Sequence, residues 1–350
     1  MRYRSGFWDS VGRTPLIKLE RLSAQTGSTI LGKAEFLNPG GSVKDRAARG
    51  LVEDAEQRGV LAKGGTIVDG TAGNTGIGLA HVSLARGYRC VIVMPDNQSP
   101  EKYALIRTLG AELEVVKAVP YSDPNHYQRV AARRASEIAG GFWANQFDNP
   151  ANREAHIRTT GPEIWRDTNG QLDAFVTSSG TGGTLGGVAL FLKSQRPGVR
   201  TVLADPQGSS LYRKYTTGEL QATGPGSITE GIGIGRVTAN LAGAPIDEAL
   251  SITDPEAVHF TYRLLREEGL FLGSSSGVNV AGAVRIARRL GPGHTVVTVL
   301  CDGGSKYGTR IYDRSWLEER GLARFADGAT DFPCYEETAG AAPAARRATA

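Results

Sequence analysis

Lys44 is the side chain whose surroundings could do covalent chemistry. It lies in NPGGSVKDRA, residues 38–47. Pro39, Gly40 and Gly41 interrupt regular structure, and Ser42 with Asp45 forms the S-x-x-D capping pattern that starts a helix. The spacing predicts Lys44 in the first helical turn, where the positive end of the helix dipole disfavours a cation. Desolvation there would lower its pKa further and leave an amine suited to act as a nucleophile. The plainer reading is a capped surface helix that happens to carry a lysine.

Two glycine-rich segments offer anion sites. GTAGNTG (70–76) closes a strand-like run and opens a helical one, so its backbone N–H groups would face a carboxylate or phosphate. Thr71, Asn74 and Thr75 add side-chain donors. SGTGGTLGG (179–187) has the same setting and reads as a phosphate cradle, with Thr181 and Thr184 as hydroxyl donors. It is not a dinucleotide fingerprint, because Leu185 stands where the third glycine belongs. For both segments the alternative is a glycine-assisted strand-to-helix turn.

GSSSG (273–277) matches G-x-S-x-G, but the hydrolase order of Ser, acid, His fails. His294 is the one histidine after Ser275, and no Asp or Glu lies between them. GSTILGK (27–33) mimics a P-loop, yet Ala34 replaces the Ser/Thr and the run reads as a strand. The five histidines, 81, 126, 156, 259 and 294, have no metal-ligand spacing, so no metal is expected. Cys90, Cys301 and Cys334 form no C-x-x-C pair, and the first two read as buried, inert thiols in apolar strands.

The elements that must hold these segments alternate. Strands are predicted over 28–36, 65–70, 89–95, 112–117, 142–147, 174–178, 200–204 and 295–301. Helices are predicted over 43–58, 74–86, 100–109, 124–139, 184–195, 255–268 and 277–290. Strands separated by helices mean parallel α/β sheet, and ligands then sit in loops at the carboxyl ends of strands. The 46 glycines among 350 residues fit many close backbone approaches. The net charge of +4, spread along the chain, gives no basic nucleic-acid footprint. The N-terminus lacks an apolar signal region, and no run reaches the ~18 apolar residues of a membrane helix. These features, with sparse cysteine, predict a cytoplasmic protein with no membrane or nucleic-acid partner.

SVKDRA, TAGNTG, NQFDNPAN (145–152), TTGPEIW (159–165), GTGGTLGG and GSSSG, in this order, resemble the cysteine synthase and cystathionine β-synthase family. Its members are pyridoxal phosphate (PLP) enzymes of the tryptophan synthase β-subunit fold, fold type II. The resemblance covers residues 6–325. It implies two three-layer α/β domains with mainly parallel sheets and PLP in the cleft between them. The large PLP-binding domain would be residues 1–45 plus 151–330, the small substrate-loop domain 46–150, and 331–350 a structureless tail. Lys44 would be the Schiff-base lysine and proton shuttle. Asn74 would face the cofactor's 3′-hydroxyl, Gly180, Thr181, Gly182, Gly183 and Thr184 its phosphate, and Ser275 its ring nitrogen. Thr71, Gly73, Thr75 and Gln146 would bind the substrate carboxylate, and EGIGIG (230–235) would border the site.

The activity implied is β-replacement on an activated serine, O-acetyl-L-serine plus sulfide giving L-cysteine, in a homodimer. Cysteine desulfhydrase and cystathionine β-synthase-like condensation are the neighbouring activities. Ala72 departs from the usual T-S-G-N-T of cysteine synthases, and Glu230 resembles the cystathionine β-synthases and some desulfhydrases.

Overall fold

A computed structural model describes residues 3–222 and 224–332. Cys334 and most of the expected tail lie outside the described residues. Ten strands form two sheets: β1 (Leu16–Lys18), β2 (Thr29–Ala34), β3 (Thr66–Gly70), β4 (Arg89–Pro95), β5 (Glu112–Val116), β6 (Gly141–Trp143), β7 (Ala174–Thr177), β8 (Arg200–Pro206), β9 (Glu248–Ile252) and β10 (Thr295–Leu300). The six-stranded sheet runs β1-β2-β10-β7-β8-β9 and the four-stranded sheet β5-β4-β3-β6. Every pairing is parallel except β1 with β2. This is the α/β architecture with mainly parallel sheets that the alternation of elements predicts.

The central strands are apolar because both of their faces are covered. All five residues of β3 are buried, as are Cys90–Pro95 of β4. Helices supply the covering faces. The Lys44–Gln57 helix buries Ala47, Ala48, Leu51, Val52 and Ala55, a three-and-four spacing that lays one stripe on the core. The Ser274–Leu290 helix is buried along nearly its whole length. Gly282 lets it press on the large sheet, since a Cβ there would stand 2.8 Å from the Ala204 Cβ.

Several elements differ from the sequence expectation. The strand expected over 142–147 ends at Trp143, and the chain turns through Asn145 (φ 48°) toward the cleft. β1 and β9 escaped notice because one is three residues long and the other, EALSI, is half polar. Pro150 is the N-cap of helix Ala151–Arg158, and Thr160–Asp167 follows as a second helix, neither of them among the predicted helices. The first is too polar to show an apolar period, and the second is only eight residues long. Phe332, placed in the tail, is buried against Phe325 and His259.

Candidate active site

Lys44 is the first residue of its helix. The expected capping box does not form. Ser42 Oγ accepts from the Lys44 N–H (3.2 Å), and Asp45 Oδ2 reaches back to the Gly40 N–H (2.6 Å), because the two glycines fold the loop over the helix end. Burial pushes the Lys44 amine down from its ordinary value. Cys301 and Asp302 oppose that shift, and Lys102 adds to it. Among the described residues no side chain or carbonyl takes a hydrogen bond from Lys44 Nζ, so the amine is left for chemistry.

A cleft of about 480 Å³ opens beside it. On one wall lies the turn Thr71–Thr75, which follows β3 as the glycine pattern predicts. Gly73 has φ 132° and a Cβ there would meet the Lys102 Cδ at 2.4 Å, so only glycine fits. No side chain caps helix Asn74–Arg86, so its first N–H groups face the cleft unpaired. Thr71 Oγ1 accepts from the Gly73 N–H (3.0 Å). Thr75 donates to Gln146 Oε1 (2.5 Å), and Gln146 Nε2 donates to the Gly70 carbonyl (2.9 Å). Gln146 therefore braces the turn as well as lining the cleft.

On another wall Lys44, Gly180, Thr181, Gly182 and Thr184 line a side chamber that contains no acidic residue. Gly182, in the left-handed region at φ 82°, is the N-cap of helix Gly183–Gln195 and has no side chain to cap it, and Thr181 Oγ1 accepts only a long hydrogen bond from the Gly183 N–H (3.4 Å). Uncapped helical N–H groups, two threonine hydroxyls and a neighbouring amine make a donor set suited to a phosphate dianion. Gly183 stands behind this chamber, where a Cβ would collide with Asn152 Oδ1 at 2.2 Å. Asn152 was not foreseen. It donates to the Gln146 carbonyl (2.8 Å) and to Thr181 Oγ1 (3.0 Å), tying the two walls together.

Ser275 lies in the first turn of the Ser274–Leu290 helix and lines the cleft. The expected site residues thus converge on one cleft and its side chamber, except Gly183, which stands behind the chamber wall. Cys301 corrects one part of an expectation, because it is half-buried and lines the cleft instead of lying in the core. Its thiol is pushed up to about 11 by burial and the nearby Asp302, so it stays protonated. Sequence reading also missed Asp302, Lys306 and Lys102. Asn74 donates to Asp302 (2.8 Å) and accepts from Lys306 (3.0 Å). Lys102 pairs with Glu230 across the cleft (2.5 Å). The carboxyl end of β10 was the available signal for Asp302 and Lys306.

The cofactor fit rests on this donor set: an acid-free chamber of N–H and hydroxyl donors beside an unpaired amine suits a phosphorylated aldehyde. Comparison with known proteins gives the same answer. The family model described as pyridoxal-phosphate dependent enzyme matches residues 7–302. Cysteine synthase 1 of Emericella nidulans is 53% identical over 91% of this chain and 87% of its own. The crystal structure of O-ureido-L-serine synthase superposes with a TM-score of 0.81 at 38% identity, covering 91% of this chain and all of that one. That of the O-acetylserine dependent cystathionine beta-synthase from Helicobacter pylori also gives 0.81, at 33% identity over 89% of this chain and all of that one. The chain belongs to the pyridoxal-phosphate dependent enzymes.

Proposed function

We propose that the protein makes L-cysteine and acetate from O-acetyl-L-serine and sulfide. The observation that carries this reading is the desolvated, unpaired Lys44 amine, set between the donor turn at 71–75 and the acid-free chamber at 180–184. The kinship with cysteine synthase 1 supports the choice of substrates.

Pyridoxal phosphate, when bound, supplies the electron sink that makes the α-proton of an amino acid acidic. The chain supplies the rest. Gly180, Thr181, Gly182, Gly183 and Thr184 would hold the cofactor's phosphate, Asn74 would face its 3′-hydroxyl, and Ser275 would offer a neutral hydroxyl to its ring nitrogen. The N–H groups and hydroxyls of Thr71, Gly73 and Thr75, braced by Gln146, bind the substrate carboxylate and orient the Cα–H bond toward Lys44. Lys44 Nζ, held toward its neutral form by burial, takes that proton as general base. Acetate departs from Cβ, sulfide adds there, and Lys44 returns the proton to Cα.

In this reading residues 46–150, which contain β3–β6, form the small domain carrying the substrate turn. Residues 1–45 and 151–330 form the large one. The resemblance supplies the homodimer, and the sparse cysteine the cytoplasmic setting; no helix among the described residues is long and apolar enough to cross a membrane. Glu230, paired with Lys102 in the cleft, favours one second reading: condensation of the activated serine with a larger thiol such as homocysteine.

Product analysis tests this. The enzyme is given O-acetylserine with sulfide, O-acetylserine with homocysteine, and cysteine alone. Cysteine should form fastest. Faster thioether formation would favour the second reading, and faster pyruvate release from cysteine would replace the proposal with a desulfhydrase.

A further inference from the structure

Beyond β10 the chain reads CDGGSK, residues 301–306. Asp302 and Lys306 are buried and converge on Asn74. Asp302 Oδ2 accepts from Asn74 Nδ2 (2.8 Å) and from the Tyr307 hydroxyl (2.7 Å). Lys306 Nζ donates to Asn74 Oδ1 (3.0 Å) and to the Gly41 carbonyl (3.0 Å). A more distant contact to the Gly40 carbonyl (3.5 Å) completes its three donors.

These contacts fix the Asn74 amide. An ammonium only donates, so it must face the amide oxygen. A carboxylate only accepts, so it must face the amide nitrogen. Flipping the amide would set donor against donor and acceptor against acceptor, at the cost of two charge-assisted hydrogen bonds. Asn74 Nδ2 carries a second N–H, which no acceptor among the described residues takes, and Asn74 lines the cleft. Lys306 also clamps the Gly40–Gly41 loop that leads into Lys44. One ammonium thus joins the segment bearing the amine to the helix bearing the amide.

We propose that Asp302 and Lys306 are positioning residues that lock the Asn74 amide with one N–H aimed at the cofactor. The inference rests on the reading that Asn74 faces the 3′-hydroxyl. Neither residue touches substrate in this account; both act through Asn74.

A double-mutant cycle on cofactor binding tests it. The dissociation constant of pyridoxal phosphate and the absorption maximum of the bound cofactor are measured for wild type, Asn74→Ala, Lys306→Met, Asp302→Asn and the double variant Asn74→Ala with Lys306→Met. Thermal midpoints of the cofactor-free proteins are measured alongside. Asn74→Ala, Lys306→Met and Asp302→Asn should each weaken binding about tenfold, as expected for a lost charge-assisted hydrogen bond. The double variant should bind little more weakly than Asn74→Ala, because the amide that Lys306 orients is already gone. Lys306→Arg should restore most of the loss.

Full affinity and an unmoved absorption maximum in Asn74→Ala would remove the reading of Asn74 itself. A tenfold loss in Asn74→Ala with none in Lys306→Met, or losses that multiply in the double variant, would overturn the positioning role while leaving Asn74 in place. If Lys306→Met fails to fold, Lys306→Gln enters the same cycle, and the same multiplicative result counts against the proposal.

Discussion

Lys44 and Arg46 stand two residues apart on the first turn of one helix. Arg46 is buried and Lys44 is half-buried at the cleft, and the two cations have opposite electrostatic fates. Arg46 spans Glu35 and Glu163 with short contacts: Nε and Nη2 reach Glu35 at 2.7 and 2.8 Å, and Nη1 and Nη2 reach Glu163 at 2.8 and 2.7 Å. Thr14 donates to Glu35 (2.7 Å), and Lys33 pairs with Glu163 (2.9 Å). Burial works against the charge on Arg46, but the two carboxylates outweigh it and push its pKa up. Lys44 meets the same desolvation without a paired carboxylate, so its pKa goes down. Between them, Asp45 is buried with Oδ1 unpartnered, and burial raises its carboxyl to about 7 despite the Gly40 N–H. Desolvation is shared by all three, and pairing decides which charge serves the scaffold and which group is free to exchange a proton.

Replacing Lys44 should separate the two roles most sharply. Lys44→Ala should lower turnover by at least about a thousandfold, the scale of a lost general base. The thermal midpoint should not fall, since no partner is left uncompensated. A stable variant that keeps most of its turnover would refute the role of this amine. Arg46→Met should do the reverse. It leaves Glu35 and Glu163 buried with less positive charge, and should cost about 3–5 kcal/mol in chemical denaturation. A cost below about 1 kcal/mol would show that the ionic cluster is not holding the helix start.

Asp45 gives the smallest effect and a pH dependence. Its folded pKa lies above its ordinary 3.8, so the folded protein holds the proton more tightly. Below pH about 4 both states are protonated and the stabilising contribution is intact. It is lost as pH rises to about 7. Asp69 behaves alike, its carboxyl also raised to about 7 by burial, so the wild-type decline is shared. Asp45→Asn should become more stable relative to wild type across that window, by about 2–4 kcal/mol at its upper end. A gap that stays constant with pH would mean that Asp45 is ionised in the folded protein throughout.

The segments that line the cleft and its chamber were legible because each lies in a glycine-rich turn after an apolar strand. Lys44, Asn74 and Thr181 could be picked out by setting alone. Asn152, Asp302 and Lys306 could not. Asn152 sits in a polar stretch whose helix has no visible apolar stripe. Asp302 and Lys306 meet Asn74 from more than two hundred residues away in sequence. Cys301 looked like a core residue because its strand is apolar up to Leu300, and only the end of β10 shows that it meets the cleft.

By itself the sequence determined the alternation of strand and helix, the turns where backbone N–H groups are free, and the lysine placed at a helix start. Those follow from local rules: apolar periodicity, the left-handed backbone open to glycine, and the unpaired groups at helix ends. The tertiary structure decided which charges are compensated. That depends on which carboxylate lies within three ångströms of which cation, a distance that local sequence does not encode. The fold gave Glu35 and Glu163 to Arg46, gave Asp302 and Lys306 to Asn74, and left the amine of Lys44 unpaired in the cleft.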